Sequence, residues 1–476
     1  MYFIMKIIGR HREKAKFQEF MNSESSEFVV VFGRRRVGKT FFVREFFDKK
    51  FDFYHTGVAN SDKTTQLSEF NFALNQKAKK LPNIPVNSWF DAFHKLEFIL
   101  ERSKNKGKKV IFLDELPWMD TQKSGFLQAL ELFWNKWASA RNDILLIVCG
   151  SATSWMFDKV INNRGGLHNR VTQQIHLKPF TLAECEEFFK EKKVTLSRKQ
   201  IAEAYMIFGG VPYYLNFFKK NFSMPQNVDA ILFAEDAPLK NEFLSLYQSL
   251  FNHSEKYIEI VKALGTKTKG LIRDEILSLT KQTNGGGFSK TLKDLELSGF
   301  IRKYYSIDKK EKDAIYQLND FFTLFYFNFI ANKKHRDEHF WQHLIDNAQH
   351  RAWSGFAFEQ LCLYHLPLVK QKLGISGVLT NVASWIGTFD NKKVQIDLLI
   401  DRNDGVINLC EMKFAKGVYT LDKTTWQNLL NKIEVFRQNT KSKKAIHLTM
   451  LSPFGILQNE YSSDVISEVV LDDLFI

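Results

Sequence analysis

Residues 33–40 read Gly33-Arg34-Arg35-Arg36-Val37-Gly38-Lys39-Thr40, an unbroken G-x-x-x-x-G-K-[ST] phosphate-binding loop. The flanks are what make it a constraint on the fold. Phe28-Val29-Val30-Val31-Phe32 ahead of it has the continuous apolar, β-branched character of a buried parallel strand. Phe41-Phe42-Val43-Arg44-Glu45-Phe46-Phe47 behind it has helical spacing. Strand, glycine loop and helix together define an α/β nucleotide-binding core. Gly33 and Gly38 permit backbone angles that a β-carbon resists. The amides of residues 33–40 can then turn inward and cradle a phosphate at a helix N-terminus. Lys39 would reach the β- and γ-phosphates of ATP, and Thr40 would ligate Mg²⁺.

Such a loop needs a carboxylate partner, and Val110-Ile111-Phe112-Leu113-Asp114-Glu115 supplies one: a central strand ending in two acids. Asp114 would hold Mg²⁺, and Glu115 would orient and activate the attacking water. Ile144-Leu145-Leu146-Ile147-Val148-Cys149-Gly150-Ser151 is a third strand. Ser151 at its end either meets the γ-phosphate and positions the water, or caps the next helix. The basic loop Asn163-Arg164-Gly165-Gly166-Leu167-His168-Asn169-Arg170 precedes a strand over 172–177. Arg170 first, and Arg164 second, are candidates to stabilise transition-state charge in cis or from a neighbouring copy, which leaves a homo-oligomer open. A plain surface arginine is the competing reading.

These pieces resemble the AAA+-related ATPases called the archaeal ATPase family, within the group that includes the STAND signalling NTPases. The matching segments are the loop at 33–40, Leu113-Asp114-Glu115-Leu116-Pro117-Trp118, Cys149-Gly150-Ser151, Leu167-His168-Asn169-Arg170 running into Leu177-Lys178-Pro179-Phe180, and Phe208-Gly209-Gly210-Val211-Pro212-Tyr213-Tyr214-Leu215. The family commonly has Leu-Tyr-Gly-Arg at 167–170, so the arginine is kept while its neighbours differ. The Gly-Gly-Val-Pro element resembles the lid motif that this family shares with STAND proteins. There Gly209-Gly210 would end one helix and Pro212 start another, making a rigid corner.

The length of 476 residues requires several cores. We expect a P-loop ATPase core at 1–180, a helical lid at 181–250, a winged helix at 251–335 and a further α/β domain at 336–476. Cys185, Phe188 and Phe189, then Ile201, Ala204, Tyr205 and Phe208, are amphipathic stripes of the lid. Helices over 257–265, 271–277 and 288–296, then a strand at 300–305, give the winged-helix pattern. Lys290 and Lys293 would face outward on its third helix, for DNA contact or merely on a packing module.

The last segment holds a second acidic constellation. Asp397 lies inside the strand Val394–Ile400, and Glu411 and Lys413 form an E-x-K on a strand over 407–414. Period two puts Glu411 and Lys413 on one face, and antiparallel pairing would bring Asp397 beside them. Glu359, on the helix 355–362, could deliver a third carboxylate. Acids in apolar surroundings are costly unless paired or metal-bound, and a divalent cation relieves their mutual repulsion. Lys413 would polarise water or steady a scissile phosphate. A buried Asp397–Lys413 ion pair has the same sequence signature.

Helix Glu, strand Asp and Glu-x-Lys resemble the PD-(D/E)xK nuclease superfamily, and the C-terminal domain that commonly follows archaeal-type ATPase modules. The resemblance implies a restriction-endonuclease-like fold with Mg²⁺, or Mn²⁺, on Glu359, Asp397 and Glu411. That family commonly has Glu-Ile-Asp where this chain has Gln395-Ile396-Asp397. We expect Gln395 to point to the opposite face from the site.

Sixty-seven basic against 53 acidic residues leave a formal charge of +14, which favours polyanions such as DNA. No apolar run is long enough to span a bilayer, the start lacks signal-peptide regions, and four dispersed cysteines form no C-x-x-C pair. A soluble cytoplasmic ATPase is expected, its nucleotide state controlling DNA binding and Mg²⁺-dependent cleavage. The alternative is a STAND-like switch with a non-cleaving DNA- or protein-binding C-terminal domain.

Overall fold

A computed structural model describes residues 6–78, 84–162, 165–167, 169–305, 314–331, 337–389 and 392–476. The chain forms two compact units, Met1–Pro179 and Phe180–Ile476. The first is built on five strands, β1 (Glu27–Phe32), β2 (Phe53–Thr56), β3 (Lys109–Asp114), β4 (Ile144–Gly150) and β5 (Gln173–His176). They pair in the order β2-β3-β4-β1-β5, all parallel. Period-two alternation splits the central strands between two cores. Phe28, Val30 and Phe32 of β1, with Ile111 and Leu113 of β3, enter one cluster. Val29 and Val31, with Val110 and Phe112, enter the other. A strand apolar on both faces can only sit inside a sheet covered on both sides.

The second unit opens on helices. Thr181 and Glu184 form a capping box at the head of the Leu182–Glu191 helix, as Ser197 and Gln200 do for Arg198–Phe208. The expected corner is present. Gly209 terminates the second helix at φ 65°, and Pro212 occupies the first turn of the Pro212–Leu215 helix. Gly210 (φ 65°) must be glycine, because a β-carbon there would stand 2.4 Å from the Phe180 carbonyl oxygen.

Further on, the helices Ser254–Gly265, Arg273–Thr280 and Gly286–Leu297 accompany a small antiparallel sheet. Its strands are β6 (Leu271–Ile272), β7 (Ile301–Tyr304) and β8 (Ile315–Leu318), in the order β6-β8-β7. The helix expected over 271–277 therefore starts two residues late: Leu271 and Ile272 pair with Tyr316 and Ile315 instead. Lys290 and Lys293 are exposed on the third helix, as expected.

The last sheet contains β9 (Thr380–Phe389), β10 (Lys392–Arg402), β11 (Val406–Met412), β12 (Ala445–Ser452) and β13 (Val465–Val470), ordered β13-β12-β11-β10-β9. The β9–β10–β11 pairings are antiparallel, and β12 and β13 are added in parallel. The Lys423–Thr440 helix packs Leu429, Val435 and Phe436 into a core with Ile396, Leu399 and Leu409.

Candidate functional site

The glycine loop leaves β1 through Gly33 at φ 144°, where a β-carbon would lie 2.2 Å from the Leu177 carbonyl oxygen. Arg36 (φ 73°) and Gly38 (φ 86°) are also left-handed. The turn delivers Lys39 to the start of the Lys39–Phe46 helix. Its side chain is buried, and Nζ donates to the carbonyls of Gly33 (2.9 Å) and Arg34 (3.0 Å). Burial pulls the ammonium pKa down, while Cys149, Glu115 and Asp114 oppose that shift. The lysine is thus folded onto its own loop, on carbonyl oxygens that phosphate oxygens can replace.

Asp114 ends β3, 2% exposed. Burial raises its pKa, and the Thr40 hydroxyl, which donates to it, pulls the other way. A hydroxyl beside a carboxylate is a hard-oxygen pair that suits Mg²⁺, so the expected ligands Thr40 and Asp114 fit the ion in chemistry and placement. Glu115 follows at φ 47°, a left-handed angle rare outside glycine and frequent where function holds backbone strain. Gly57, just past β2, makes room for it: a β-carbon there would come 2.6 Å from the Glu115 carbonyl oxygen.

Ser151 neither caps a helix nor stands alone. The N-cap of the Thr153–Met156 helix is Ala152. The Ser151 hydroxyl donates to Glu115 Oε1 (2.8 Å), and its amide donates to Oε2 (3.3 Å). Arg170 is solvent-exposed, and its guanidinium makes no hydrogen bond or ion pair with any described residue. Arg164 and His168 lie outside the described residues. Of the loop arginines, Arg34 is buried while Arg35 and Arg36 are half-buried.

In the second unit, Leu398 pairs with Cys410 across β10 and β11, so the next step of the register sets Asp397 alongside Glu411. Glu359 comes from the Ala348–Tyr364 helix. Burial, then Asp397, pushes the Glu359 carboxyl up to about 7, with Glu411 adding and Lys269 and Lys413 opposing. Glu411 is nearly buried, yet held below its usual pKa: burial is outweighed by Lys432 and Lys413. Lys413 Nζ lies 2.8 Å from one Glu411 oxygen and Lys432 Nζ 2.7 Å from the other. Lys413 falls one residue past β11, its amide still donating to Leu451 O (2.9 Å).

One expectation needs correction. Gln395 does not point away from the site. Residues two apart on a strand share a face, and Gln395 Nε2 donates to Asp397 Oδ1 at 2.7 Å. As arranged here, no three His, Cys, Asp or Glu side chains among the described residues are grouped closely enough to hold a metal ion. The lysines now neutralise these acids, so the donor set suits a hard divalent cation in kind while its present arrangement does not. Sequence reasoning missed Lys432, whose signal is weak because it sits on a helix a long loop away, and Lys269, which pairs with Asp397 at 3.5 Å from the other sheet's module. Sequence reasoning also missed Gly57, because the short strand Phe53–Thr56 before it is mixed in polarity and gives no continuous apolar run.

Comparison with known proteins adds the following. Residues 8–218 match the model of an ATPase domain found predominantly in Archaea. The match covers the whole glycine-loop site and continues past Gly209-Gly210 into the second unit. The N-terminal part of the chain is therefore an archaeal-type ATPase domain on a parallel α/β sheet. An uncharacterized protein of Methanocaldococcus jannaschii is 25% identical over 361 residues, 74% of this chain and 76% of that one. Among solved structures, the Walker-type ATPase of Pyrococcus abyssi aligns with TM-score 0.49 and 17% identity over 67% of this chain and 96% of its own. The ORC2 protein of Aeropyrum pernix, in its ADPNP–ADP complexes, gives 0.44 and 13% over 68% and 94%. Likenesses of that size carry nothing further about this chain. Among the described residues no helix is long and apolar enough to cross a membrane.

Proposed function

We propose that this protein binds and hydrolyses ATP, that its nucleotide state controls its hold on DNA, and that Glu359, Asp397, Glu411 and Lys413 cleave phosphodiesters. The single observation that carries the first step is the meeting of Lys39, Thr40, Asp114 and Glu115 at one end of a parallel sheet. Lys39 would trade its loop carbonyls for β- and γ-phosphate oxygens, a charge-assisted contact. Thr40 and Asp114 would hold Mg²⁺, which neutralises charge building on the phosphoryl group. Glu115, steadied by Ser151, would take a proton from the attacking water. Arg170 would stabilise charge on the transferring phosphoryl group in cis or from a second copy.

The DNA reading rests on the +14 charge and on exposed Lys290 and Lys293, which suit a winged helix over 251–335. The cleavage reading rests on Glu359, whose proton affinity is raised by burial first and then by the nearby Asp397. Mg²⁺ or Mn²⁺ held there by Glu359, Asp397 and Glu411 would supply Lewis acidity. Lys413 would steady the scissile phosphate.

The test compares wild type, Lys39→Ala and Asp397→Ala on labelled plasmid, linear and branched DNA with Mg²⁺ or Mn²⁺, with and without ATP. The proposal expects ATP hydrolysis lost in the first variant and cleavage lost in the second. One observation favours a second reading: both Glu411 oxygens are already taken by lysines. A STAND-like switch with a non-cleaving C-terminal binder would then show ATP-dependent DNA or protein binding and no Asp397-dependent cleavage.

A further inference from the structure

A cavity of about 140 Å³ lies inside the second unit, between the small sheet and the last one. Phe356, Leu363 and Val382 give it apolar walls, and Glu359, Gln360 and Arg302 bring polar groups to it. A cavity of about 150 Å³ admits a single benzene ring, whereas clefts for larger ligands begin at roughly 300 Å³. One flat ring therefore fits here, and two fused rings do not.

The polar groups are not matched within the protein. Gln360 is 3% exposed, and its Oε1 accepts no hydrogen bond from any described residue. The Glu359 carboxyl, one position earlier on the same helix, makes no hydrogen bond or ion pair with a described residue. Burial and then Asp397 push that carboxyl up to about 7, so near neutral pH it both donates and accepts. Arg302 gives two N–H groups to Gln317 Oε1 and forms no ion pair with a described residue, which leaves further donors on its guanidinium. An amide oxygen that is buried and unmatched is costly, and a ligand that carries an N–H removes the cost.

We propose that this cavity receives a cytosine base swung out of DNA. Cytosine is one ring wide, with two N–H groups on N4 and acceptors at N3 and O2. One N4–H would meet Gln360 Oε1. The other, with N3, would face the accepting and donating oxygens of the Glu359 carboxyl, and Arg302 would donate to O2. Thymine carries a carbonyl oxygen where cytosine has its amino group, so it would set a second acceptor against Gln360 Oε1. Adenine and guanine are too large. The apolar walls replace part of the stacking that a base loses on leaving the duplex. DNA as the source of the base rests on the DNA reading above. Neither a metal ion nor cleavage is required.

The test measures binding of the full-length protein to three DNA duplexes by fluorescence anisotropy: one with a bulged cytosine, one with a bulged thymine and one fully paired. Calorimetry with free cytidine is the second arm. An unpaired base costs least to extrude, so the bulge isolates what the cavity contributes. The variants are Gln360→Leu, which removes the unmatched oxygen at similar volume, and Ala383→Leu, which fills the cavity and keeps Gln360. Thermal melts confirm that each is folded. Wild type should bind the bulged cytosine about tenfold more tightly than the bulged thymine, and both variants should lose that preference while holding the paired duplex as wild type does. No cytosine preference in wild type, or one that survives both substitutions, overturns the cavity as a base site and leaves the DNA reading standing. Cytidine binding that depends on Gln360, with no duplex bound, supports the cytosine site and overturns DNA as its source. Binding of neither cytidine nor any duplex overturns both.

Discussion

Glu115 illustrates what single residues reveal and conceal. Its role follows from two acids after an apolar strand. Its conformation does not: φ 47° is set by the turn into Leu116–Met119 and by the space that Gly57 leaves behind it. Its partner is Ser151, brought in by β4 across a sheet order that no local pattern encodes. Replacing a general base by its amide should leave ATP affinity within a few-fold of wild type and lower kcat by about 10²–10⁴. Glu115→Gln assayed for nucleotide binding and turnover checks this; unchanged turnover would remove Glu115 from the chemistry. Glu359 makes a separate prediction. Its folded pKa of about 7 exceeds its ordinary 4.5. The folded state therefore holds a proton that the unfolded chain releases over that interval. Its stabilising effect is complete below pH 4.5 and is lost as pH rises through 7. Denaturant unfolding should show wild type losing stability relative to Glu359→Gln between pH 5 and 8, by at most about 3 kcal/mol because some solvent screening remains. A flat difference across that range would contradict the shift.

Elements were more legible than their ends. The strands β1, β3 and β4 are written in continuous apolar runs, and the Gly209–Pro212 corner in glycine and proline, because each rests on local chemistry. The start of the Arg273–Thr280 helix was misread because Leu271 and Ile272 gain more from pairing with β8 than from another helical turn. Gln395 was assigned to the wrong face although its spacing from Asp397 alone decides the matter. The corner makes a clear prediction. Alanine at Gly210 combines a left-handed φ with a β-carbon 2.4 Å from the Phe180 carbonyl, and should cost about 2 kcal/mol or more. Alanine at Gly287, helical and with open space around it, should be neutral or stabilise by about 0.5 kcal/mol. Thermal melts of the two variants should move in opposite directions or differ by several degrees; equal melting would show that the corner is not rigid.

The whole molecule carries charges that the sequence counts and the fold alone can weigh. Composition supplies +14 and twelve histidines without saying which of them titrate. His55 on β2 and His365 beside the Ala348–Tyr364 helix are buried, and burial drives each imidazole down to about 4. One lies in each compact unit. A neutral buried imidazole has a plain sign. The unfolded chain takes up a proton near pH 6.5 and the folded chain only near 4, so stability is whole above 6.5 and falls as pH drops through that window. Each group contributes at most about 3 kcal/mol, from two and a half pK units. Acidification also neutralises carboxylates on a chain that is already basic, so self-repulsion grows in the same direction. Calorimetric scans at pH 7.5, 6 and 4.5 should therefore show the unit containing β2 melting earlier at each step, while in the other unit the opposite effect of Glu359 offsets that of His365. His55→Phe should flatten that dependence for the unit containing β2, and His365→Phe should leave the other with the opposite trend set by Glu359. If either substitution leaves its unit's pH dependence untouched, that histidine is solvated in solution, and the packing described around it does not hold.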